Sequence, residues 1–299
     1  MINTINISKN TKKLVVGIFS FLFLSNIIAW SIIYDLDKPK FLEVNYFDVG
    51  QGDSIFIETQ EGNKILIDGG PTPAVLKKLE NKMAFYDKTI DLIILTHPES
   101  DHYNGLIEVL KRYKVKNILW TGVVRDTNEW KEWVRLIEKE GADIKIAQAG
   151  QRIILQEEPL IFIDVLYPFE SLEGQEVKYA NETSIVANLF YQDVSFLFTG
   201  DIPKKIENQL VENNVYLKSD ILKVAHHGSK TSSSDEFIEN VLPKLAIISV
   251  EKDNQYGHPH IEVLSRLQEF DIQVLRTDLN GDIKILSDGS SFRILGKDF

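Results

Sequence analysis

Two kinds of hydrophobic pattern divide this chain. From Leu14 to Tyr34 runs LVVGIFSFLFLSNIIAWSIIY, 21 residues without a charge. As a helix this run is about 31 Å long, close to the hydrocarbon thickness of a bilayer. Beyond Phe41 the apolar positions come in short strand-length runs bounded by Gly, Pro, Asn and Asp, interleaved with amphipathic stretches. The pattern predicts strands over 41–48, 54–59, 64–67, 91–95 and 117–120, and near 144–147, 152–155 and 160–166. It predicts a hairpin of 184–191 and 194–198 through Gln192-Asp193, then strands over 221–225 and 245–250 and near 272–276, 281–287 and 290–295. Helices are expected over 74–86, 106–113, 128–140 (stopped by Gly141) and 202–213. Gly257-His258-Pro259-His260 opens one more helix of about ten residues. Strands in two groups, interrupted by helices, predict an α/β fold. Two packed mixed sheets lie inside and helices outside, an αββα sandwich preceded by one N-terminal transmembrane helix.

The apolar run is read as a membrane anchor. It is longer than the apolar part of a typical signal peptide, and Trp30 and Tyr34 lie where small residues would mark a cleavage site. Lys9, Lys12 and Lys13 precede it, and Asp35 and Asp37 follow. The positive-inside rule then leaves residues 1–13 in the cytoplasm, 14–34 in the cell membrane as a single pass, 35–40 as a linker, and 41–299 as an extracytoplasmic domain. A cleaved signal peptide and a buried core helix are the alternatives; the missing polar face counts against the second.

Composition narrows the chemistry. The chain has no cysteine, so disulfides, thiolate metal sites and cysteine nucleophiles are excluded, and any metal must be held by His, Asp, Glu or Asn. The net charge is -11, and after the three N-terminal lysines 30 basic residues face 44 acidic ones. Such a surface repels phosphate backbones, so tight nucleic-acid binding is not expected, although an enzyme acting on nucleic acid is not excluded. Walker and Gly-x-Ser-x-Gly motifs are absent, which removes support for P-loop and serine-hydrolase readings.

The chemistry concentrates just past strand ends. Thr96-His97-Pro98-Glu99-Ser100-Asp101-His102 follows the apolar run 91–95. A strand points successive side chains to opposite faces, whereas a loop leaving it can curl several ligands around one centre. Imidazole and carboxylate donors suit zinc and also manganese or iron. Four more polar pieces share this setting: Asp68, Asn181, Asp201 and His226-His227. Each has an ordinary reading too. Asp201 can cap the helix that follows, and the paired histidines can sit exposed in a turn. His258 either lines the pocket with His260 or caps the next helix. The loop Ser229-Lys230-Thr231-Ser232-Ser233-Ser234 either holds a phosphate or is plainly solvated.

These pieces, in this order, resemble the metallo-β-lactamase superfamily: His97-x-Glu99-x-Asp101-His102, Thr199-Gly200-Asp201 and His226-His227-Gly228-Ser229. Phe47-Asp48-Val49-Gly50-Gln51-Gly52-Asp53-Ser54, Asp68-Gly69-Gly70, Asn181-x-x-Ser184 and Tyr256-Gly257-His258-Pro259 are similar to the metallo-β-lactamase-like domain of ComEC-type DNA-uptake competence proteins. The resemblance covers about residues 41 to 299. The superfamily usually has His-x-His-x-Asp-His; here Glu99 takes the second His position, and Asn181 stands where a third-motif His is expected. Both departures favour oxygen ligands, which makes manganese as reasonable as zinc and disfavours lactam hydrolysis.

The resemblance implies one or two divalent ions, Zn or Mn, held by His97, Glu99, Asp101, His102, Asn181, Asp201 and one of His226 and His227. It implies metal-assisted hydrolysis with Asp101 orienting water and taking its proton, helped by His227 or His258. The expected substrate is a phosphodiester such as DNA. ComEC proteins also carry a channel of many helices that this chain lacks, so a separate uptake channel is the expected partner. The alternatives are a cell-surface phosphoester hydrolase of phosphorylcholine-esterase type and a non-catalytic metal-binding module.

Overall fold

The structure is a computed structural model, and it describes residues 9–36 and 41–295. Residues 1–8, 37–40 and 296–299 lie outside the described residues, and with them most of the expected cytoplasmic tail and linker. The chain divides into two units, Met1–Lys40 and Phe41–Phe299. Among the described residues the first is one helix, α1 (Lys9–Leu36). Its stretch Lys9–Ser31 is long and apolar enough to cross a membrane. Phe19, Phe21 and Trp30 are exposed along it, as a lipid-facing helix requires.

The second unit is the sandwich. It begins with β1 (Leu42–Tyr46), β2 (Ile55–Glu58), β3 (Lys64–Ile67), α2 (Ala74–Lys82), β4 (Thr89–Ile94), α3 (Ser100–Leu110), β5 (Lys114–Trp120), α4 (Asn128–Glu140) and β6 (Asp143–Ile146). Then come β7 (Arg152–Gln156), β8 (Ile161–Tyr167), β9 (Val186–Tyr191), β10 (Val194–Phe198), α5 (Lys204–Glu212), β11 (Ile221–Lys223), α6 (Asp235–Val241), β12 (Leu245–Ile248), α7 (Ile261–Glu269) and β13 (Gln273–Arg276). Short α8 (Thr277–Asn280) precedes the closing hairpin of β14 (Ile283–Ser287) and β15 (Phe292–Leu295). One mixed sheet has the order β15-β14-β1-β2-β3-β4-β5-β6, the other β13-β12-β11-β10-β9-β8-β7. The αββα expectation therefore holds.

Alternation within each strand builds three layers of core. Leu42, Val44 and Tyr46 of β1, Ile55 and Ile57 of β2, and Phe196 and Phe198 of β10 point between the sheets. Phe56 and Leu66 point outward and pack with Val75, Leu106 and Trp133 of the helices on that face. Leu197 and Leu222 do the same with Ile206, Phe237 and Val263 on the other face. Each such side chain contributes roughly 1.5–3 kcal/mol on burial, so the layering is strongly determined.

Helix α4 has the expected bounds: Thr127 caps it by accepting the Trp130 N–H, and Gly141 ends it in a left-handed turn. Three elements differ from the pattern, one of them the four-residue α8, where the pattern places none. Helix α3 starts at Ser100, six residues before the expected Leu106, so Asp101 and His102 sit in its first turn rather than in a loop. Ser100-Asp101-His102-Tyr103-Asn104-Gly105 is a poor helix former, and tertiary packing overrides its propensity. The Gly105 N–H donates to the Gly70 carbonyl at 2.9 Å, and a Cβ at Gly105 would collide with the Gly69 carbonyl. Helix α6 lies where the pattern places no element; it is a seven-residue piece that buries Phe237, Ile238 and Val241 and is capped by Ser234.

Candidate metal centre

The ends of β3, β4, β10 and β11 bring four loops together. Asp68 follows β3, His97 follows β4, Asp201 follows β10, and His226-His227 follow β11. The turn after β1 brings Gly52 against the Asp101 backbone, where any side chain would collide. That contact places Asp53 under the start of α3. Asp68, His226 and His227 all have left-handed backbone (φ 57°, 51° and 55°). Non-glycine residues adopt this region rarely, and here it turns side chains into the site.

Asp101, His102, Asp201 and His227 present donor atoms that all lie within 4.8 Å of one another. Asp201 Oδ2 is 3.4 Å from His102 Nε2 and 3.3 Å from His227 Nε2; Asp101 Oδ2 is 3.6 Å from His227 Nε2. The groups behind the rings fix the tautomers. The Nδ1–H of His102 donates to Asp68 Oδ2 at 2.8 Å, and that of His227 to the Ser249 carbonyl at 2.9 Å. Thr96 Oγ1 donates to Asp68 at 2.7 Å, so it can only accept from His97 Nδ1 at 3.0 Å. Each Nε2 is therefore the nitrogen that faces inward. Among the described residues the Nε2 atoms of His97, His102 and His227 are buried without a hydrogen-bond partner. An orphaned buried nitrogen costs about 1–3 kcal/mol, and three clustered beside carboxylates suit a Lewis acid as their partner.

The electrostatics agree. Burial drives the His102 and His227 rings toward neutrality, but Asp201, Asp68 and Asp101 overcome this at His102 and lift it well above the usual range. Asp201, Asp101 and Asp53 lift His227 to about 9. Without a metal these rings hold protons where a cation belongs. Burial would raise Asp101 and Asp201, but the neighbouring histidines hold both well below the usual carboxylate range. Two imidazoles and two carboxylates, ordered by bonds from behind, fit a divalent ion.

The remaining predicted residues lie around this group. His97 packs its ring 4.1 Å from that of His102, and burial and His102 keep it neutral. Burial with the charges of Asp101 and Asp201 raises Glu99, which lines the pocket outside the four-donor group. His226 is half-buried, its Nε2 4.0 Å from Asp201 Oδ2 and 3.4 Å from Asn181 Nδ2. His258 lines the pocket and is lowered to about 4 by burial and the histidines around it; the exposed Tyr256 ring stacks on it. Asp201 does not cap α5, where Pro203 holds that position without a side-chain bond. The serine-rich loop is divided: Lys230 and Thr231 are exposed, whereas Ser232 and Ser233 are buried, Ser232 Oγ donates to the Ile202 carbonyl, and the Ser233 and Ser234 N–H groups donate to Glu207. The pocket over the cluster has a volume of about 640 Å³.

Two buried residues of the site lie outside the predicted ligand set. Asp53 reads as a turn residue, yet it is 1% exposed beside the histidines. Lys223 is wholly buried and pairs with Asp53 and Asp201. A lysine inside the apolar run Ile221-Leu222-Lys223-Val224-Ala225 was the available signal, because a buried ammonium needs carboxylates.

A sequence model described as the metallo-beta-lactamase superfamily matches residues 47–251. The chain is 35% identical over 260 residues to ComE operon protein 3 of Bacillus subtilis, covering 81% of this chain and 32% of that protein. It is 28% identical over 254 residues to Recombination protein 2 of Haemophilus influenzae, covering 84% of this chain and 29% of that protein. The chain thus spans about a third of the length of these curated relatives. The same fold occurs in Igni18, a metallo hydrolase from Ignicoccus hospitalis, with a TM-score of 0.54 at 16% identity over 81% of this chain and 98% of that one. It also occurs in the metallo-beta-lactamase fold protein YhfI from Bacillus subtilis, with a TM-score of 0.52 at 11% identity over 78% and 96%. Sandwich, His–Asp cluster and sequence match agree: the chain belongs to the metallo-beta-lactamase superfamily, with the buried metal-binding cluster of a metal-dependent hydrolase.

Proposed function

We propose that this chain is a membrane-anchored, extracytoplasmic phosphodiesterase that cleaves DNA-type substrates with one or two Zn or Mn ions. The observation that carries the hydrolytic reading is the set of orphaned inward-facing Nε2 atoms beside two ionised carboxylates. The likeness to a protein named for recombination supports the substrate class. The apolar helix α1 supports the anchor, and the lysines before it support the orientation. The pocket is acidic, with Glu99, Asp101, Asp201, Glu251 and Asp253 on its wall, so a phosphate can enter only against cations.

Asp101, His102, Asp201 and His227 are assigned as the residues that would hold one ion, and His97, Glu99, Asn181 and His226 surround that group. A bound divalent ion supplies Lewis acidity and lowers the pKa of water. Asp101 is the member of the four open to the pocket, with 29% of its side chain exposed. It is ionised and within reach of an entering water, so it orients that water and accepts its proton. Asp68, through Thr96 and His102, fixes the orientation of the donor rings. His258 is neutral above about pH 4 and faces the pocket, placed to hydrogen-bond a leaving oxygen.

The test uses the full chain in detergent, stripped of metal and resupplied with Mn²⁺ or Zn²⁺, on linear DNA and on small phosphoesters. Metal-dependent DNA cleavage that disappears in His102→Ala is the expected result. A folded, metal-loaded chain that cleaves small surface-type phosphoesters and leaves DNA intact would sink the nuclease reading.

A further inference from the structure

Two sets of potential ligands share His102. The outer set, Asp101, His102, Asp201 and His227, opens to the pocket; the inner set, Asp53, Asp68 and His102, is fully buried. We propose that the inner set is not a metal site because Lys223 is its built-in cation, and that Lys223 is a positioning residue that turns Asp201 toward the metal. This inference rests on the metal-centre reading above and extends it to a residue outside the ligand set.

The hydrogen bonding supports the assignment. An ammonium has three N–H donors. Those of Lys223 meet Asp53 Oδ2, the Gly200 carbonyl at 3.0 Å and Asp201 Oδ1 at 3.4 Å. Lys223 therefore has no donor to spare, and Asp53 Oδ2 is taken. His102 cannot serve the inner set either, because its Nδ1–H already donates to Asp68. The two atoms that close on Asp68 here, Asp53 Oδ2 and His102 Nδ1 (3.9 Å apart), are committed to a lysine and a proton, whereas Asp53 Oδ1 has no hydrogen-bond partner among the described residues.

The orientation of Asp201 follows. Its Oδ1 is tied to Lys223, and its Oδ2 lies between His102 Nε2 and His227 Nε2. Gly200, held by the same ammonium, is the residue just before Asp201, so one lysine anchors both the backbone and the side chain of this ligand. Charge counts in the same direction. Asp53, Asp68, Asp101 and Asp201 crowd one region, three of them essentially buried. A divalent ion in the outer set compensates only part of that charge, and a fixed ammonium behind it compensates more without competing for the pocket.

The test uses two variants of the full chain in detergent. Lys223→Met alone strands Asp53 as an uncompensated buried charge and is expected to unfold. The double variant Lys223→Met/Asp53→Asn removes both charges and keeps the fold, judged by its metal-free melting transition. If Lys223 positions Asp201, Mn²⁺ affinity measured by calorimetry falls at least tenfold in the double variant. kcat on a phosphodiester then falls while KM stays within about twofold. If Lys223 is only a structural ion pair, the folded double variant binds Mn²⁺ as wild type does, and the proposal is overturned. Anomalous diffraction from Mn²⁺-loaded wild-type crystals gives an independent readout: density among Asp101, His102, Asp201 and His227 with none on Asp53 supports it, and density on Asp53 overturns it. A wild-type chain that binds no divalent ion removes the metal centre itself and this inference with it; loss confined to the variant comparison leaves the proposed function standing.

Discussion

Two openings of the sandwich are similar in volume and opposite in content. One, about 500 Å³, lies between the first sheet and β7, where Ile65, Leu92, Leu119 and Leu155 form its floor and Asp91, Lys145 and Arg152 its rim. The other, about 640 Å³, lies over the His–Asp cluster. At the first, charges stand in solvent with partners of opposite sign: Lys116 with Asp91 at 2.7 Å, and Arg152 with Asp164 at 2.6 Å. At the second, carboxylates are buried beside one another and imidazole nitrogens have no partner. A cavity is therefore not a site by size. What marks the second is a set of groups whose burial is unfavourable in the metal-free protein and becomes favourable with a cation.

The largest effect is expected from removing one of the four clustered donors. His102→Ala is expected to abolish tight Mn²⁺ or Zn²⁺ binding, measured by equilibrium dialysis, and to reduce hydrolysis to background. Asp101→Asn keeps a pocket-facing group of the same shape but cannot accept the proton, and activity should fall by about 10²–10⁴-fold. A loss confined to metal affinity, with full activity at saturating metal, would refute that role. Asp68→Asn acts from behind His102 and should weaken metal binding by about 10–100-fold.

The next test sharpens the contrast through pH. Burial alone would lower His227, but Asp201, Asp101 and Asp53 raise it to about 9 in the folded, metal-free chain. Its unfolded value is about 6.5. The folded state therefore binds the proton more tightly, and this contribution to stability is fully present below about pH 6.5 and lost as pH rises through about 9. The melting temperature of the metal-free chain should fall across that window, and metal should flatten the dependence by replacing the proton. An equally steep fall with metal bound would contradict the assignment of His227 as a ligand. The smallest effect belongs to the other opening. Arg152→Ala removes an exposed pair and should leave hydrolysis unchanged with only a small drop in melting temperature.

Much of this was legible along the chain. Strand and helix periods identify the two sheets because each element buries one face, and that pattern is local. His97, Asp101, His102, Asp201 and His227 could be named because each follows an apolar run in a short motif. The start of α3 could not be read, since its first turn is a poor helix former held by the packing of Gly69 and Gly105. Choosing between His226 and His227 also required the fold: adjacent residues with the same backbone conformation point to different places, one into the donor group and one toward Asn181.

Periodicity, length and side-chain chemistry are enough to give the layers, the apolar N-terminal helix and the residue types able to hold a metal. Packing of the two sheets decides which donors come within 4.8 Å of one another, which nitrogen of each ring faces them, and that Lys223 and Asp53 lie beneath them. Those decisions rest on distances between residues far apart in sequence. Asp53 and Lys223 meet only when the turn after β1 and the end of β11 close on one another across the two sheets. No local pattern carries such a contact, because its energy arises only when both charges are buried together.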